Sequence, residues 1–229
     1  MTDEEWLAST DPRPMVEFLA DVASDRKLRL LAVACCNRIW EMLPAARKNQ
    51  NTALESYADG MVTRSEYQAA AQVAYEEADA EDRDLMDVSS FAAASVGISD
   101  PPTASSVTVS MDAAATAVAI AAAEKEQESQ YDATYDTILT QERRAQIGLV
   151  LDIFGNPFRP VTLDRRWLSS TVLDLARTIY DQRTFENMPI LADGLMDAGC
   201  DSDEIIQHCQ GTGPHVRGCW VVDLLLGKV

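Results

Sequence analysis

Apolar residues recur at three- and four-residue steps between Ser24 and Leu43, which is the spacing of one face of an α-helix. Two adjoining stripes follow this rule: Leu28, Leu31, Cys35, Ile39 and Met42, and beside them Val33, Cys36, Trp40 and Leu43. The sequence therefore predicts a helix that begins at Ser24 or Asp25, has neighbours on two sides and ends before Pro44. Cys35 and Cys36 fall on these stripes, so we expect both in the core.

The rest of the chain also favours helices. Alanine accounts for 32 of the 229 residues, whereas glycine and proline together number only 19. Thr2 with Glu5 and Thr63 with Glu66 have the spacing of a capping box, in which two side chains satisfy the free amides that begin a helix. No stretch alternates apolar and polar residues over the length of a strand. The sequence predicts an all-α protein, a multi-helix array.

Composition changes along the chain suggest four segments. Residues 1–86 form an N-terminal helical segment, and residues 87–109 a linker or irregular crossover because Pro101 and Pro102 interrupt it. Residues 110–153 form an acidic, alanine-rich helical pair that we expect to project from the body. Residues 154–229 form a C-terminal helical segment that packs with residues 1–86 into one compact domain.

The charge excludes some classes of partner. The 37 acidic residues exceed the 19 basic ones, which disfavours nucleic acid and anionic membranes. Fifteen acidic but only three basic residues lie between residues 61 and 140. This acidic run is either a solvated helix face or a docking surface for a basic protein partner. The N-terminus lacks a signal peptide and no apolar run is long enough to span a bilayer, so we expect a cytoplasmic protein.

Both histidines and three of the five cysteines lie close together near the C-terminus: Cys200, His208, Cys209, His215 and Cys219. Thiolates and imidazoles are zinc ligands, so a zinc site is one interpretation, although no C-x(2–4)-C knuckle is present. A second interpretation is a reactive Cys219 at a helix start, with His215 and Arg217 nearby. A third is that these side chains fill the core.

Three charged residues are candidates for other roles. Arg159 lies on a loop pinned by Phe154 and Phe158, and with Arg217 it is a candidate for binding a carboxylate or a phosphate. Asp223 lies in an otherwise apolar helix, so we expect its carboxylate to form a structural salt bridge with Arg217 or Arg159.

Signatures of common enzymes are missing from the sequence. It contains no G-x-G-x-x-G, no G-x-x-x-x-G-K-[ST], no G-x-S-x-G and no H-E-x-x-H. We therefore expect no organic cofactor, and zinc is the one cofactor that the residues suggest. The sequence favours a protein–protein interaction or regulatory module. The alternative is a small enzyme or a zinc-stabilised module that uses the C-terminal cysteines and histidines.

Two blocks of sequence carry a resemblance. The first contains E-W-L, T-D-P and S-D-R-K-L-R-L before A-C-C, and the second contains F-G-N-P-F-R-P-V, M-P-I-L-A-D, A-G-C-D and H-V-R-G-C-W. Together they resemble a large, paralogue-rich family of uncharacterised bacterial proteins. The resemblance covers the two ends of the chain but not its acidic middle. It implies a bacterial cytoplasmic protein, and no activity or site residue is implied with it.

Overall fold

A computed structural model describes residues 1–80 and 101–228. Within these ranges the chain forms eleven α-helices and no strands, so the all-α prediction is confirmed. In chain order the helices are α1 (Asp3–Leu7), α2 (Pro12–Leu19), α3 (Asp25–Asn37), α4 (Ala45–Ala58), α5 (Arg64–Ala80), α6 (Ala104–Ala123), α7 (Tyr131–Phe154), α8 (Ser170–Gln182), α9 (Met188–Asp197), α10 (Asp203–Gln210) and α11 (Trp220–Leu226). Four single turns of 3-10 helix occur at Trp40–Met42, Glu128–Gln130, Arg165–Trp167 and Phe185–Asn187.

Local capping signals place the helix starts where the sequence predicts them. The Thr2 hydroxyl accepts from the Glu5 amide while the Glu5 carboxylate accepts from the Thr2 amide, which is a complete capping box. Ser24 caps α3 by accepting a hydrogen bond from the backbone of Lys27. These bonds satisfy amides that have no partner inside the helix, which is why they can be read from sequence alone.

The first apolar core includes residues from the start of α6 and from the end of α7, so this part of the alanine-rich helical pair does not project from the body. Helices α6 and α7 pack against each other and against α2 and α3, and Met111 and Val150 are fully buried. Small alanine side chains allow this close approach, so the apolar face of the pair is used internally. Helix α6 also begins earlier than expected, because Thr103 and Ser106 form a capping box within the C-terminal part of the predicted 87–109 linker. The rest of that linker up to residue 100 lies outside the described residues.

Helix α6 is the one described helix that is long and apolar enough to cross a membrane. Half of its most apolar 18-residue window is buried inside the fold. Core helices of soluble proteins often have this composition, and burial against α2, α3 and α7 accounts for it here.

A second apolar core lies in the C-terminal segment. It is built from α8 to α11, and its fully buried members include Leu191, Leu195, Ile205 and Val222. Each core has its own set of side chains, so polar contacts carry much of the connection between the two.

Buried charges connect the two cores. Arg26, in the first turn of α3, donates to both carboxylate oxygens of Asp223 on α11 at 2.7 and 3.1 Å. It also donates to the Tyr180 hydroxyl at 2.7 Å and to Asp59 at 3.0 Å. Although burial acts to lower it, these carboxylates raise the pKa of Arg26 above its ordinary value. Lys27 adds a contact of 3.6 Å to Asp223.

Asp223 thus forms a structural salt bridge, as predicted, but its partner is different. The predicted partner Arg159 instead pairs with Asp3 at 2.5 Å on the surface. Arg217 lies near Glu55 and Asp59 at 3.7 and 3.5 Å. The partner that Asp223 does have is 197 positions away in the chain, a pairing that no local pattern encodes.

Replacing Asp223 by alanine should destabilise the protein by about 3–5 kcal/mol, because Arg26 and Lys27 would keep buried charges without their carboxylate. Urea unfolding followed by circular dichroism measures this change. The control is Asp174→Ala, which breaks an exposed pair with Arg177 and should cost about 0.5 kcal/mol or less. Equal effects of the two substitutions would contradict a connecting role for Asp223.

Candidate metal centre

Four side chains with metal-ligand chemistry converge where the two cores meet. Asp152 lies in the last turns of α7, and His208 lies in the last turn of α10. His215 lies on the loop between α10 and α11, and Cys219 is the residue that caps α11. One ligand atom from each of the four lies within 4.8 Å of all the others.

Close backbone approach brings the loop to α7. Gly148 is one turn before Asp152 on the same face of the helix, and a Cβ at Gly148 would lie 3.3 Å from the Pro214 ring. Only a residue without a side chain lets Pro214 come this near without adjustment. Gly218, with a φ of 91°, is also required, because a Cβ there would meet Leu30 of α3 at 3.0 Å. The glycines therefore set the positions of Pro214, which precedes His215, and of Gly218, which precedes Cys219.

The distances suit one small ion. His208 Nε2 lies 3.1 Å from Asp152 Oδ1 and 3.2 Å from Cys219 Sγ. His215 Nδ1 lies 2.7 Å from the same Asp152 oxygen. Around tetrahedral zinc, neighbouring ligand atoms are separated by about 3.3–3.6 Å, as follows from Zn–N, Zn–O and Zn–S bond lengths. To reach that spacing, the close pairs would move slightly apart, and pairs separated by up to 4.8 Å would move closer together.

The carboxylate of Asp152 is the centre of the cluster. Only 2% of its side chain is exposed. It accepts hydrogen bonds from both histidines and, at 2.9 Å, from the Val216 amide. Burial acts to raise the pKa of Asp152, but the bonds from His208 and His215 outweigh this effect and lower it below its ordinary value. The three donors therefore favour the ionised form of this buried carboxylate.

Cys219 is not a reactive thiolate in this arrangement. Its side chain is fully buried, and this burial raises the pKa of the thiol well above its ordinary value. Two backbone amides of α11 act in the opposite direction, as expected for a residue at a helix start, but they are weaker. A cation that enters the site would have to displace the thiol proton.

Trp220 fixes the proton of His208. Its indole nitrogen, which can only donate, lies 3.1 Å from His208 Nδ1. Nδ1 must therefore accept, and the single proton of the neutral ring lies on Nε2, which faces Asp152 and Cys219. A metal ion on Nε2 would require that proton to move to Nδ1, where it would face the indole N–H.

The structure brings together three of the five residues that the sequence suggested as metal ligands: His208, His215 and Cys219. Cys209 is buried in the second apolar core, and Cys200 packs against that core from a partly exposed position. Neither belongs to the four-residue cluster. Cys35 and Cys36 are buried in the first core, as expected.

Sequence reasoning missed Asp152. Its signal was a single acidic residue within the apolar run from Leu149 to Phe154, the same kind of signal that drew attention to Asp223. Such a residue must find donors, but the sequence does not identify them.

The comparisons with known proteins add no relative to this description. The chain matches no family model, no curated protein and no solved structure.

Proposed function

We propose that this protein binds one zinc ion through Asp152, His208, His215 and Cys219. The convergence of four ligand atoms within 4.8 Å carries the proposal. Two imidazoles, one thiolate and one carboxylate form a mixed set that suits borderline-soft zinc better than the hard cations calcium and magnesium. With Asp152 and Cys219 ionised, the two negative charges would balance the ion.

The proposed ion has a structural role. All four tetrahedral positions are taken by protein side chains, whereas catalytic zinc keeps one position for water or substrate. Asp152 lies on α7, whereas the other three ligands lie on or between α10 and α11. The ion would therefore join α7 to the C-terminal segment. Because binding of this kind stabilises only the folded chain, zinc would contribute directly to the free energy of folding.

Three protons occupy ligand atoms and oppose binding. The Cys219 thiol must lose its proton, and the protons on His208 Nε2 and His215 Nδ1 must leave these atoms, which face the site. Zinc affinity should consequently fall as pH falls, because protons compete for the same atoms.

The other functions suggested by the sequence have less support. Use of Cys219 as a nucleophile is disfavoured because the thiol is buried. In addition, the nitrogen of His208 that could accept the thiol proton, Nε2, also contacts Asp152. Docking of a basic partner on residues 61–140 stays a prediction, since five of the fifteen acidic residues there lie outside the described ranges. A cytoplasmic location and the family resemblance stay predictions as well.

Protein purified without added metal should contain about one equivalent of zinc by elemental analysis, and Cys219→Ser should lose most of it. The matched control is Cys200→Ser, which changes a cysteine outside the cluster and should keep the ion. Chelation should lower the melting temperature of the wild type but not that of Cys219→Ser. A fully folded wild type that neither contains nor takes up zinc would overturn the proposal.

Replacing Trp220 by phenylalanine should raise zinc affinity about two- to tenfold, because the indole N–H would no longer oppose a proton on His208 Nδ1. Competition with a chromophoric chelator measures the change. Trp40→Phe, which alters a tryptophan of the first core, is the control and should leave affinity unchanged. Weaker binding by Trp220→Phe would mean that zinc does not use His208 Nε2.

A further inference from the structure

Helix α9 has an apolar side that the rest of the described fold does not cover. Leu191 and Leu195 point into the second apolar core and are fully buried. On the opposite side, Ile190 is 53% exposed and Met196 is 44% exposed. Together with the exposed Pro189 they fall within an arc of about 120° around the helix. Single exposed apolar residues are common, but several on one short face form the kind of patch that marks an interaction surface.

This apolar face continues into an open cleft of about 320 Å³ at the start of α9. The cleft lies between the start of this helix and the loop that follows α10, and its lining consists of Phe185, Glu186, Pro189, Gly211, Thr212, Gly213 and His215. Two of the loop residues are glycines, and a Cβ at Gly213 would meet no atom within 4 Å. The cleft therefore has room for a large side chain supplied by a partner.

The charge around this face has one sign. Between Arg183 and Arg217 the chain contains six acidic residues and no lysine or arginine. All six are exposed: Glu186, Asp193, Asp197, Asp201, Asp203 and Glu204. Arg166 approaches Asp201 from outside this stretch, but it is already bound by Asp164 at 2.6 Å.

Two of these carboxylates lie among the exposed apolar residues of α9. Asp193 and Asp197 fall within the same arc of the helix as Ile190. Neither carboxylate forms an ion pair or a side-chain hydrogen bond within the part of the chain that the structure describes. Unpaired acids beside apolar side chains complement a surface that is both apolar and basic, and they repel a second copy of this chain. Because α9 offers side chains and no free backbone edge, a second helix packed against it is the best fit.

We propose that the exposed face of α9 and the adjoining cleft bind a basic amphipathic helix of a partner protein. The apolar stripe of that helix covers Ile190 and Met196 and places one large side chain beside Phe185 in the cleft. Its lysines or arginines lie opposite Asp193 and Asp197. Apolar anchors supply most of the affinity in such helix-in-groove recognition, and the charges select the partner. None of these five residues is a proposed zinc ligand, so the inference does not rest on the zinc proposal.

Fluorescence anisotropy tests this inference with a labelled peptide of about 14 residues, which is longer than the roughly 15 Å of α9. Leucines at helical spacing form one face of the peptide and lysines form the other. Titration with the full-length protein at about 0.01 M salt should give saturable binding, and binding should weaken at about 0.15 M salt. Asp193→Lys, which adds repulsion, and Ile190→Ser, which removes apolar contact, should each weaken binding at least about fivefold.

The matched controls make the same changes on the exposed side of α5. They are Glu77→Lys and Val73→Ser, and Val73 is 50% exposed, close to the value for Ile190. Both controls should bind the peptide like the wild type. A peptide in which glutamate replaces every lysine should not bind. All four positions are exposed, so thermal unfolding followed by circular dichroism should show that each variant keeps its fold.

Several results would overturn the inference. One is no saturable binding of the leucine–lysine peptide, and another is equal affinity for the glutamate peptide or at the two salt concentrations. Asp193→Lys and Ile190→Ser variants that bind as tightly as the wild type would place the peptide elsewhere. An equal loss for the α5 variants would also overturn it, because the peptide would then respond to acidic surface in general.

Discussion

The buried charge of Arg26 determines how the two halves of this protein meet. Its guanidinium contacts Asp223 of α11, Tyr180 of α8 and Asp59, the residue that follows α4. Because a buried cation without partners is very costly, these helices have few alternative positions relative to α3. Helix α11 is held in this way, and the residue that caps it is Cys219. The geometry of the candidate metal centre thus depends on a salt bridge formed elsewhere.

The protons of the candidate metal centre can be arranged in two ways, one without an ion and one for the proposed zinc-bound form. In one, Asp152 is an anion that three N–H groups satisfy, and Trp220 donates to His208. In the other, the proposed zinc ion would replace the proton of the Cys219 thiol, and the proton that each histidine directs toward Asp152 would move to the other nitrogen of its ring. In the first arrangement Asp152 accepts from all three N–H groups directed at it, which explains why the side chains converge without an ion. In the second arrangement His208 Nδ1 would carry a proton, so the indole N–H of Trp220 would lose this nitrogen as its hydrogen-bond acceptor. This exchange of partners gives the site a measurable cost for metal entry.

His215 connects this centre to a neighbouring cavity. One ring nitrogen lies 2.7 Å from Asp152, and the side chain also lines the space bounded by α3 and Arg217. An imidazole has two nitrogens but, when neutral, one proton, so the chemistry on one side of the ring sets what the other side can offer.

The sequence by itself determined the all-α fold class, several helix starts and the cysteine and histidine ligands of the site. Apolar spacing over α3 and the Thr2 and Thr63 capping boxes are local properties, because helical hydrogen bonds join residues only four positions apart. The tertiary structure decided which side chains converge. It selected His208, His215 and Cys219, left Cys200 and Cys209 out, and added Asp152 from a distant helix. The tertiary structure also decided that Asp223 pairs with Arg26. Such pairings depend on how helices pack and on where glycines let a loop approach, and neither is written in the spacing of residues along the chain.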